Sequence, residues 1–376
     1  MDALTTPLPK DWQKVRLGDI LTLKHGRDYK NFKLGNIPVY GSGGYMLSIN
    51  NFLHNGESVC IGRKGTIDKP IYLNGKFWVV DTLFYSYSFK KSIPKFIFYA
   101  FSIIKWSNYN EATGVPSLTK MTISNIEIPL PPLNEQAAIA NVLSDVDRYL
   151  YNLDALILKK ESVKKALSFE LLSQRKRLKG FNQAWQRVRL GDICEFGNGG
   201  AYETLIVENG NFKLISLNSI DIDGNLKNTM KRVNFYDNSL KQDDIVMVLS
   251  DVAHGDFLGL CAVIPSNDYV LNQRMGRLRK RNDCINILFL RLYINANQKY
   301  FKMQGQGSSQ LNLSKKAIED FEIPLPPLNE QIAIANVLSA LDSEIISLKN
   351  KKRQFDNIKK ALNHDLMSAK IRVLKK

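Results

Sequence analysis

The sequence predicts an α+β protein in which two globular modules alternate with two long helices that pair as an antiparallel coiled coil. Two internal matches predict this layout. IPLPPLNEQAAIANVLSDVD at 128–147 recurs at 323–342 with 17 of 20 residues identical and an offset of 195, and WQKVRLGDI at 12–20 recurs as WQRVRLGDI at 185–193 with an offset of 173. The residues between these matches barely resemble each other. A duplicated frame with a pseudo-two-fold relation therefore carries two different modules.

These matches set the predicted boundaries: a first module at 1–127, a first helical spacer at 128–180, a second module at 181–322 and a second helical spacer at 323–376. In the first module, apolar runs such as SVCIGRKGTID and KFWVVDTLFYSYSF alternate with Gly and Asn, which is typical of strands and turns. PKFIFYAFSIIKW, and INILFLRLYINANQKYF in the second module, are long enough for helices. The second module is longer by the difference between the two offsets, 22 residues.

Each spacer begins with Pro-Pro-Leu-Asn-Glu-Gln, which is typical of a helix N-terminus. Pro131 and Pro132 can precede a helix but not lie inside one, Asn134 is a good N-cap, and Glu135 suits the first turn. Gly180 is a plausible end. Apolar residues recur at steps of four and three, which indicates a coiled-coil seam. The predicted seam residues are Ile139, Leu143, Val146, Leu150, Leu153, Ile157, Val163 and Leu167 in the first spacer, and Ile334, Leu338, Leu341, Ile345, Leu348, Phe355, Ile358 and Leu362 in the second.

The length of the predicted helices favours pairing within the chain. A helix from 134 to 178 would be roughly 67 Å long, and a small module cannot bury so long a stripe. Packing of each helix on its own module, or pairing with a second chain, are the alternatives. Lys160 and Lys352 interrupt the two seams. They either fix the register of the pair or mark the point at which the helices separate.

Composition indicates a polyanionic partner. The formal net charge is +16, from 52 Lys and Arg against 36 Asp and Glu, and nucleic acid is the commonest large polyanion. The four cysteines form no C-x-x-C pair, so we expect reduced thiols, mostly in cores, in a cytoplasmic protein. MDALTTPLPKDW lacks the pattern of a signal peptide, and the longest apolar stretch, 96–104, is too short to span a membrane.

Candidate nucleic-acid contacts lie on polar loops, because a reader of base edges needs donors and acceptors on a rigid frame. The turn at 62–66 supplies two cations and a hydroxyl, and 272–281 is rich in arginine. The alternatives are an ordinary hairpin and a solvated strand edge. Polar loops at 114–117 and 307–310 precede the spacers. The predicted DNA-binding residues are Tyr40, Ser42, Tyr45, Arg63, Lys64, Thr66, Ser117 and Lys120 in the first module, and Gln273, Arg274, Arg277, Arg279, Ser308, Ser309, Gln310, Asn312 and Lys315 in the second.

Motifs for catalysis are absent from the sequence. There is no G-x-x-x-x-G-K-[ST] phosphate loop, no glycine fingerprint after a strand and no Asn/Asp-Pro-Pro-Tyr/Phe tetrad for amino-methyl transfer. Asp251, His254 and Asp256 predict a polar loop rather than a metal site. We predict no catalytic residue, no metal and no cofactor, although scattered carboxylates alone do not exclude a nuclease.

The duplicated W-x-x-V-x-L-G-D-I and I-P-L-P-P-L-N-E-Q segments, with the tract I-G-R-K-G-T-I-D … F-W-V-V-D-T-L-F, resemble the specificity subunits of type I restriction–modification systems. The resemblance covers essentially the whole chain. It implies that each module is a target-recognition domain for one half of a bipartite DNA site. It also implies that the helices set the gap and carry two methyltransferase subunits, which motor and nuclease subunits join. The expected docking residues at the helix starts are Pro131, Pro132, Asn134, Glu135, Gln136, Pro326, Pro327, Asn329, Glu330 and Gln331.

Two other function classes make distinct predictions. A small DNA endonuclease or methyltransferase would be active as the purified chain with a metal or a methyl donor. A coiled-coil scaffold for proteins would show no salt-dependent DNA binding.

Overall fold

The chain divides into two units, each of which contains one module and parts of both long helices. In the computed structural model, which describes residues 8–252 and 255–373, the first unit comprises Met1–Leu156 and Leu348–Lys376, and the second comprises Ile157–Ser347. The predicted segments follow secondary structure, whereas these units follow packing, so each long helix contributes to both.

The strands of the first module form two four-stranded sheets and one two-stranded sheet. They are β1 (Gln13–Arg16), β2 (Thr22–His25), β3 (Leu34–Gly41), β4 (Gly44–Ile49), β5 (His54–Asn55), β6 (Ser58–Gly62), β7 (Ile71–Leu73), β8 (Lys76–Val79), β9 (Leu83–Tyr87) and β10 (Glu127–Leu130). The larger sheets have the orders β2-β9-β6-β7 and β4-β3-β8-β5. Because β1 pairs antiparallel with β10, the two ends of the module meet directly before the first long helix.

Three short helices and the first long helix belong to this half of the chain. They are α1 (Leu17–Ile20), α2 (Pro94–Ile103), α3 (Lys120–Asn125) and α4 (Leu133–Leu172), with a 3-10 turn at Trp106–Tyr109. Pro94 lies in the first turn of α2, where its fixed φ favours helix initiation. Phe96, Ile97 and Phe101 of α2 are fully buried. The helix predicted from PKFIFYAFSIIKW is therefore confirmed, and its apolar face forms part of the core.

The second module repeats one four-stranded sheet and the terminal strand pair of the first module with unrelated residues, whereas its sheet with the parallel strand pair has three strands rather than four. Its strands are β11 (Gln186–Arg189), β12 (Cys194–Asn198), β13 (Phe212–Ile215), β14 (Arg232–Val233), β15 (Ile245–Val248), β16 (Ser250–Val252), β17 (Cys261–Val263), β18 (Tyr269–Leu271), β19 (Met275–Lys280), β20 (Gln310–Asn312) and β21 (Glu322–Leu325). The sheet order β12-β19-β15-β17 matches β2-β9-β6-β7, and β13 pairs parallel with β18 as β3 pairs with β8. β11 pairs with β21 as β1 pairs with β10. The predicted internal repeat is therefore structural.

The helices of this half are α5 (Leu190–Ile193), α6 (Ile287–Ala296), α7 (Gln298–Gln304), α8 (Lys315–Glu319) and α9 (Leu328–Met367), with 3-10 turns at Glu203–Leu205 and Leu217–Ser219. The Asn286 side chain accepts a hydrogen bond from the Phe289 amide at 2.9 Å, which caps the start of α6. The predicted helix at INILFLRLYINANQKYF is thus confirmed as two consecutive helices, α6 and α7.

The long helices begin and end close to their predicted positions. The Pro132 carbonyl accepts from the amides of Glu135 and Gln136, both at 3.0 Å, so α4 starts at Leu133, one residue before the predicted cap. α4 ends at Leu172 rather than 178, and Gln174 and then Gly180 adopt positive φ values of 61° and 95°. These left-handed residues turn the chain away from the helix axis.

The predicted seams are correct in their first halves and wrong at one position in each second half. Ile139, Leu143 and Ile157 are buried, but Val163 is 44% exposed and Ile358 is 51% exposed. A strict seven-residue repeat drifts relative to the 3.6 residues per turn of an α-helix. As a result, the half-buried Lys160 and Lys164, rather than Val163, lie on the inward face of α4.

Within each unit, α4 and α9 run antiparallel. In the first unit the contacts between them are Asp147 with Lys359, the Tyr149 and Phe355 rings with centroids 4.6 Å apart, and Asp154 with Lys352 at 2.8 Å. In the second unit they are Lys160 with Glu344 at 2.9 Å, and Lys164 with Asp342. Residue numbers fall along α9 as they rise along α4. Lys160 and Lys352 therefore make ion pairs between the helices, as the register interpretation predicts.

Each helix start packs on its own module, and each helix end packs on the other module. The core of the first unit includes Ile139 and Leu143 of α4 together with Leu366 and Met367 of α9. The core of the second includes Ile334 and Leu338 of α9 together with Leu171 and Leu172 of α4. The helices therefore pack on the modules, as the alternative predicts, and also pair with each other.

One described helix, α9, is long and apolar enough by length and composition to cross a membrane. Polar residues interrupt its apolar stretches, so this helix was not noticed from uninterrupted apolar stretches alone. Its most apolar half supplies Ile334, Ala335 and Leu338 to the core of the second unit, where they are at most 1% exposed. Core helices of globular proteins pass the same compositional test.

Candidate nucleic-acid interface

Thr82 joins the predicted turn at 62–66 to the predicted contact residue Ser42, and the predicted loop at 114–117 pairs with the same turn. The amides of Arg63 and Lys64 donate to the Thr82 carbonyl at 2.8 and 3.3 Å, and the Ser42 amide donates to the Thr82 hydroxyl at 3.3 Å. Lys64 and Ser117 form an isolated antiparallel bridge. The structure thus brings together Ser42, Arg63, Lys64 and Ser117, which are far apart in sequence.

Backbone constraints fix the turn at 62–66. A side chain on Gly62 would lie 2.0 Å from the Thr66 carbonyl oxygen, and Gly65 has a φ of +90°, which favours glycine. The Gly65 amide donates to Pro116 O at 2.8 Å, and Leu118 donates to Arg63 O at 2.9 Å. The two glycines are therefore structural, and they hold the cations between them on a rigid turn.

The side chains on this surface differ in their availability. Arg63 is half-buried and donates from Nε to the Asp81 carbonyl at 2.7 Å, so it partly supports the loop. Lys64 and Lys120 are exposed, and Tyr45 is 63% exposed. The Tyr45 ring lies edge-on to Tyr40, with centroids 6.1 Å apart. Thr66 and Ser117 are half-buried.

A cleft of about 750 Å³ opens beside the β3–β4 hairpin. Two of its lining residues, Ser42 and Tyr45, were predicted from the sequence. The lining residues that were not predicted include Asp28, Tyr29, Lys30, Met46, Asp81 and Thr82. The Val79-Val80-Asp81-Thr82 part of the family-like tract was the available signal. Carboxylates beside cations allow such a surface to accept hydrogen bonds from base amino groups as well as to bind phosphates.

The second module builds the same frame with other side chains. Leu249 N donates to Arg274 O at 3.0 Å, as Arg63 does to Thr82, and Leu313 N donates to Leu249 O at 2.8 Å, as Leu118 does to Arg63. Ser250 pairs with Asn312, as Lys64 does with Ser117, and the Ser250 hydroxyl donates to Asn312 Oδ1 at 2.5 Å. Ser117 and Asn312 are separated by the same offset of 195 as the spacers. Ser250 was missed, because only the topology relates it to Lys64.

The other predicted residues of the second module fall into two groups. Gln273 and Arg274 are exposed at the β18–β19 turn, where Arg274 has a left-handed φ of 67°. The loop residues Ser308, Ser309 and Asn312 are exposed and Gln310 is half-buried. Lys315 is exposed and lies 3.5 Å from Glu319 one helical turn away.

Arg277 and Arg279, in contrast, are engaged within the module. Arg279 donates to both carboxylate oxygens of the buried Asp244 at 2.8 and 2.6 Å, and these hydrogen bonds raise the pKa of the guanidinium. Arg277 donates to Glu195 at 2.5 Å and to Ser239 O at 3.2 Å. Their donors stabilise β19 against its neighbours, so these two guanidinium groups are poor candidates for DNA contacts, contrary to the prediction.

Several residues that were predicted to dock partner subunits at the starts of α4 and α9 are buried. Glu135, Gln136, Glu330 and Gln331 are at most 2% exposed, so a partner subunit cannot reach these side chains. Gln136 donates to Lys91 O and Pro131 O at 3.0 and 2.8 Å. Gln331 donates to Cys284 O and Pro326 O at 2.9 and 2.8 Å. Pro131 and Pro326 are buried with them. The exposed or half-exposed members of the predicted set are Pro132, Asn134, Pro327 and Asn329.

The two buried glutamates each hold a tryptophan and an arginine. We call each such Glu–Trp–Arg cluster a latch. In the first latch, Glu135 accepts hydrogen bonds from Trp12 Nε1 at 3.1 Å and from Arg372 Nε at 2.5 Å. Arg372 also contacts Asp11 at 2.9 Å. The second latch comprises Glu330, Trp185 and Arg177, with Trp185 Nε1 at 3.0 Å and Arg177 Nε at 2.9 Å from the carboxylate.

The sequence contained a signal for the latches. Arg177 and Arg372 are separated by the spacer offset of 195, and Trp12 and Trp185 by the offset of 173. These arginines were not predicted, because they lie outside the long repeated segments at 128–147 and 323–342. Hydrogen bonds to the carboxylates raise the pKa of both guanidinium groups.

The polar loop predicted at 251–256 and the four cysteines can be compared with their predictions. Within 8–252 and 255–373, no group of three or more His, Cys, Asp or Glu side chains is placed to hold a metal ion. His254 of the predicted polar loop lies outside the described residues. Asp251 accepts from the Phe257 amide at 2.6 Å, and Asp256 lies 3.3 Å from Lys302. Cys60, Cys194 and Cys261 are buried as predicted, whereas Cys284 is exposed.

Comparisons with known proteins agree on one family. The family model described as "Type I restriction modification DNA specificity domain" matches residues 9–160 and 182–355. The chain is 28% identical to the type I restriction enzyme MjaVIII specificity subunit of Methanocaldococcus jannaschii, over 97% of this chain and 94% of that protein. It is 23% identical to the putative type I restriction enzyme MjaX specificity subunit of the same organism, over 97% and 95% of the two chains.

Solved structures share the fold. The crystal structure of the S subunit of a type I restriction–modification system from M. genitalium aligns with a TM-score of 0.70 at 19% identity, covering 96% of this chain and 98% of that one. A chain from a structural study of assembly and conformational transition in a type I system aligns with a TM-score of 0.57 at 16% identity, covering 96% and 99%.

Proposed function

The chain belongs to the type I restriction–modification DNA specificity family, and from that premise we propose that each of its modules reads one half of a bipartite DNA site. It is a specificity subunit, and specificity subunits are non-catalytic. The observation that carries the proposal is the common hydrogen-bonded frame of the modules. This frame presents Lys64 and Ser117 in the first module but Ser250 and Asn312 in the second. Different side chains on one frame are what two unlike half-sites require.

The charges support a division between phosphate and base contacts. Lys64 and Lys120 in the first module, and Arg274 and Lys315 in the second, are exposed cations suited to phosphates. Ser42, Tyr45, Ser117, Gln273, Ser308, Ser309, Gln310 and Asn312 offer hydroxyl and amide groups suited to base edges. Phosphate contacts set the position of each module, and base-edge contacts set its sequence preference.

The antiparallel helices support an inverted arrangement of the two half-sites. Related modules joined through an antiparallel pair approach DNA in opposite senses, as two-fold symmetric readers do. The target is then two short, unlike sequences separated by unread base pairs, and the helices set the length of that gap.

Two methyltransferase subunits dock at the exposed parts of the helix starts. Leu133 is 52% exposed and Leu328 is 37% exposed at equivalent positions, and each is followed by an exposed asparagine, Asn134 or Asn329. Two similar surfaces on one chain fit two copies of one partner. Motor and nuclease subunits complete the restriction complex. The proposed location is the cytoplasm, where the host DNA lies.

Methylome mapping tests this function. The full chain is co-expressed with a type I methyltransferase subunit in a host without other methylation, and modified bases are mapped across the genome. We expect one bipartite motif with a methylated base in each half, and loss of the motif when the chain is omitted. A contiguous motif, or methylation that does not depend on the chain, would contradict the proposal.

A further inference from the structure

The two long helices are equivalent by sequence but not identical along their paired faces. At the offset of 195, Asp147 and Lys164 of α4 correspond to Asp342 and Lys359 of α9. These residues form the Asp147–Lys359 pair in the first unit and the Asp342–Lys164 pair in the second. The same Asp–Lys pair would also form between two α4 helices or between two α9 helices. It therefore does not distinguish the native partner from a second copy of the same helix.

The contacts next to these Asp–Lys pairs along the helices differ between the two units. Tyr149 of α4 faces Phe355 of α9 in the first unit, whereas Glu344 of α9 faces Lys160 of α4 in the second. Tyr149 corresponds to Glu344, and Lys160 corresponds to Phe355. The native pairing therefore places ring against ring and charge against opposite charge. Two copies of α4 would place Tyr149 against Lys160, and two copies of α9 would place Glu344 against Phe355.

A second difference lies nearer the middle of the helices. Asp154 pairs with Lys352 at 2.8 Å, and this contact raises the pKa of Lys352. Lys352 corresponds to Ile157 and Asp154 to Lys349. In a pair of α4 helices Asp154 would face Ile157, and in a pair of α9 helices Lys352 would face Lys349. The first pairing leaves a carboxylate against an aliphatic side chain, and the second brings like charges together.

We propose that these positions form a partner-selecting surface, through which α4 binds α9 in preference to the α4 of a second copy of this chain, and α9 binds α4 in preference to a second α9. Each ion pair is partly exposed, with side chains 30–49% accessible, so selectivity comes from several positions together. Polar residues on a coiled-coil face commonly set partner choice in this way. The pairing preference does not depend on the proposed function, but under that function it joins two unlike modules, rather than two copies of one module, through each pair of helices.

Exchange of the selecting residues in the full-length chain tests this inference. One variant gives α4 the residues of α9: Tyr149→Glu, Asp154→Lys, Ile157→Lys and Lys160→Phe. The reciprocal variant gives α9 the residues of α4: Glu344→Tyr, Lys349→Asp, Lys352→Ile and Phe355→Lys. The third variant carries all eight substitutions and regains the native set of pairs with the roles of the helices exchanged.

We expect each single exchange to lower the melting temperature by on the order of 5 °C, and the combined exchange to recover most of that loss. We also expect a mixture of the two single-exchange chains to form a mixed complex in native mass spectrometry, because each then offers the helix that the other lacks. Single exchanges that melt like the parent chain would overturn the proposal. So would a combined variant that is no more stable than either single exchange, since the losses would then reflect the substitutions themselves rather than pairing.

Discussion

At the residue scale, burial distinguishes three of the four cysteines from the fourth. The Cys60 and Cys194 thiols are enclosed in apolar surroundings, which raises their pKa to about 12, and burial also raises the pKa of Cys261. The thiolate is the reactive form, so these three groups are both inaccessible and protonated at neutral pH. Cys284 is exposed.

We therefore expect one of the four thiols to react rapidly with an aromatic disulfide reagent at pH 8 in the folded chain. All four should react in denaturant. The Cys284→Ser variant is the control, and it should lose the rapid phase alone. Rapid reaction of more than one thiol in the folded protein would show that a core opens readily.

A second residue-scale prediction concerns Lys64, which is exposed beside Ser117 on the proposed interface. If Lys64 binds phosphate, Lys64→Ala should weaken binding to all DNA sequences and reduce the slope of log K against log salt by about 0.9. If it contacts a base edge, the variant should relax one position of the first half-site at a cost of about 1–3 kcal/mol. Exposed Lys90, between β9 and α2, gives the control Lys90→Ala. If Lys64→Ala and Lys90→Ala bind DNA and direct methylation equally well, the turn at 62–66 has only a structural role.

Single residues also show where sequence-based prediction fails. The turn at 62–66 and the loop at 114–117 were identified by local composition, and the structure brings them together. Arg277 and Arg279 looked equally suitable, but Glu195 and Asp244 lie 82 and 35 residues from them in sequence. Ion pairs over such separations depend on strand order, which local composition does not reveal. Glu135 and Gln136 were misjudged for the same reason.

At the scale of elements, the long helices were predictable because their apolar pattern is regular over many turns. The strand order of the modules was not, because short strands with few residues each permit many sheet orders. The seam prediction failed at Val163 and Ile358, since lysines at neighbouring positions extend along the inward face and place their charges beside carboxylates. A lysine stem can cover apolar surface while its ammonium group remains near water.

The seam yields a prediction with a matched control on the same helix. Leu150 is 7% exposed, whereas Leu158 is 64% exposed. Leu150→Ala should lower the free energy of unfolding by about 2–5 kcal/mol, and Leu158→Ala should change it by no more than about 0.5 kcal/mol. Denaturant titration measures both. In a methylome assay, neither variant should change which bases are read, because the modules hold those contacts. A changed base preference in Leu150→Ala would contradict the proposed division between helices and modules.

At the scale of the whole molecule, the repeat found in the sequence predicted the duplicated frame and the family. It could not predict that each unit takes parts of both helices, because that depends on where the second half of each helix packs. The sequence also did not indicate that modules with unrelated residues share the strand order of one four-stranded sheet. That agreement arises from a common backbone frame, in which Thr82 and Arg274 occupy equivalent positions.

Module exchange follows from this frame. A full-length chain carrying residues 12–127 in both module positions should direct methylation to an interrupted palindrome made of the first half-site and its inverted repeat. The parent chain provides the control, and methylome mapping gives the readout. Retention of the original asymmetric site, or methylation of a direct repeat, would contradict the inverted arrangement.

The two latches differ in how the chain connects them. Trp185 and Arg177 reach Glu330 from one continuous segment, whereas Trp12 and Arg372 reach Glu135 from segments separated by 360 positions. The two latches thus have equivalent contacts, but only in the second latch does one continuous segment carry both the tryptophan and the arginine. A circular permutant in which the segment after residue 373 continues to residue 8, and which opens instead at exposed Gly180, would retain both latches and both cores. We therefore expect the fold to depend little on which module comes first along the chain, because the same segments meet at each glutamate in either order.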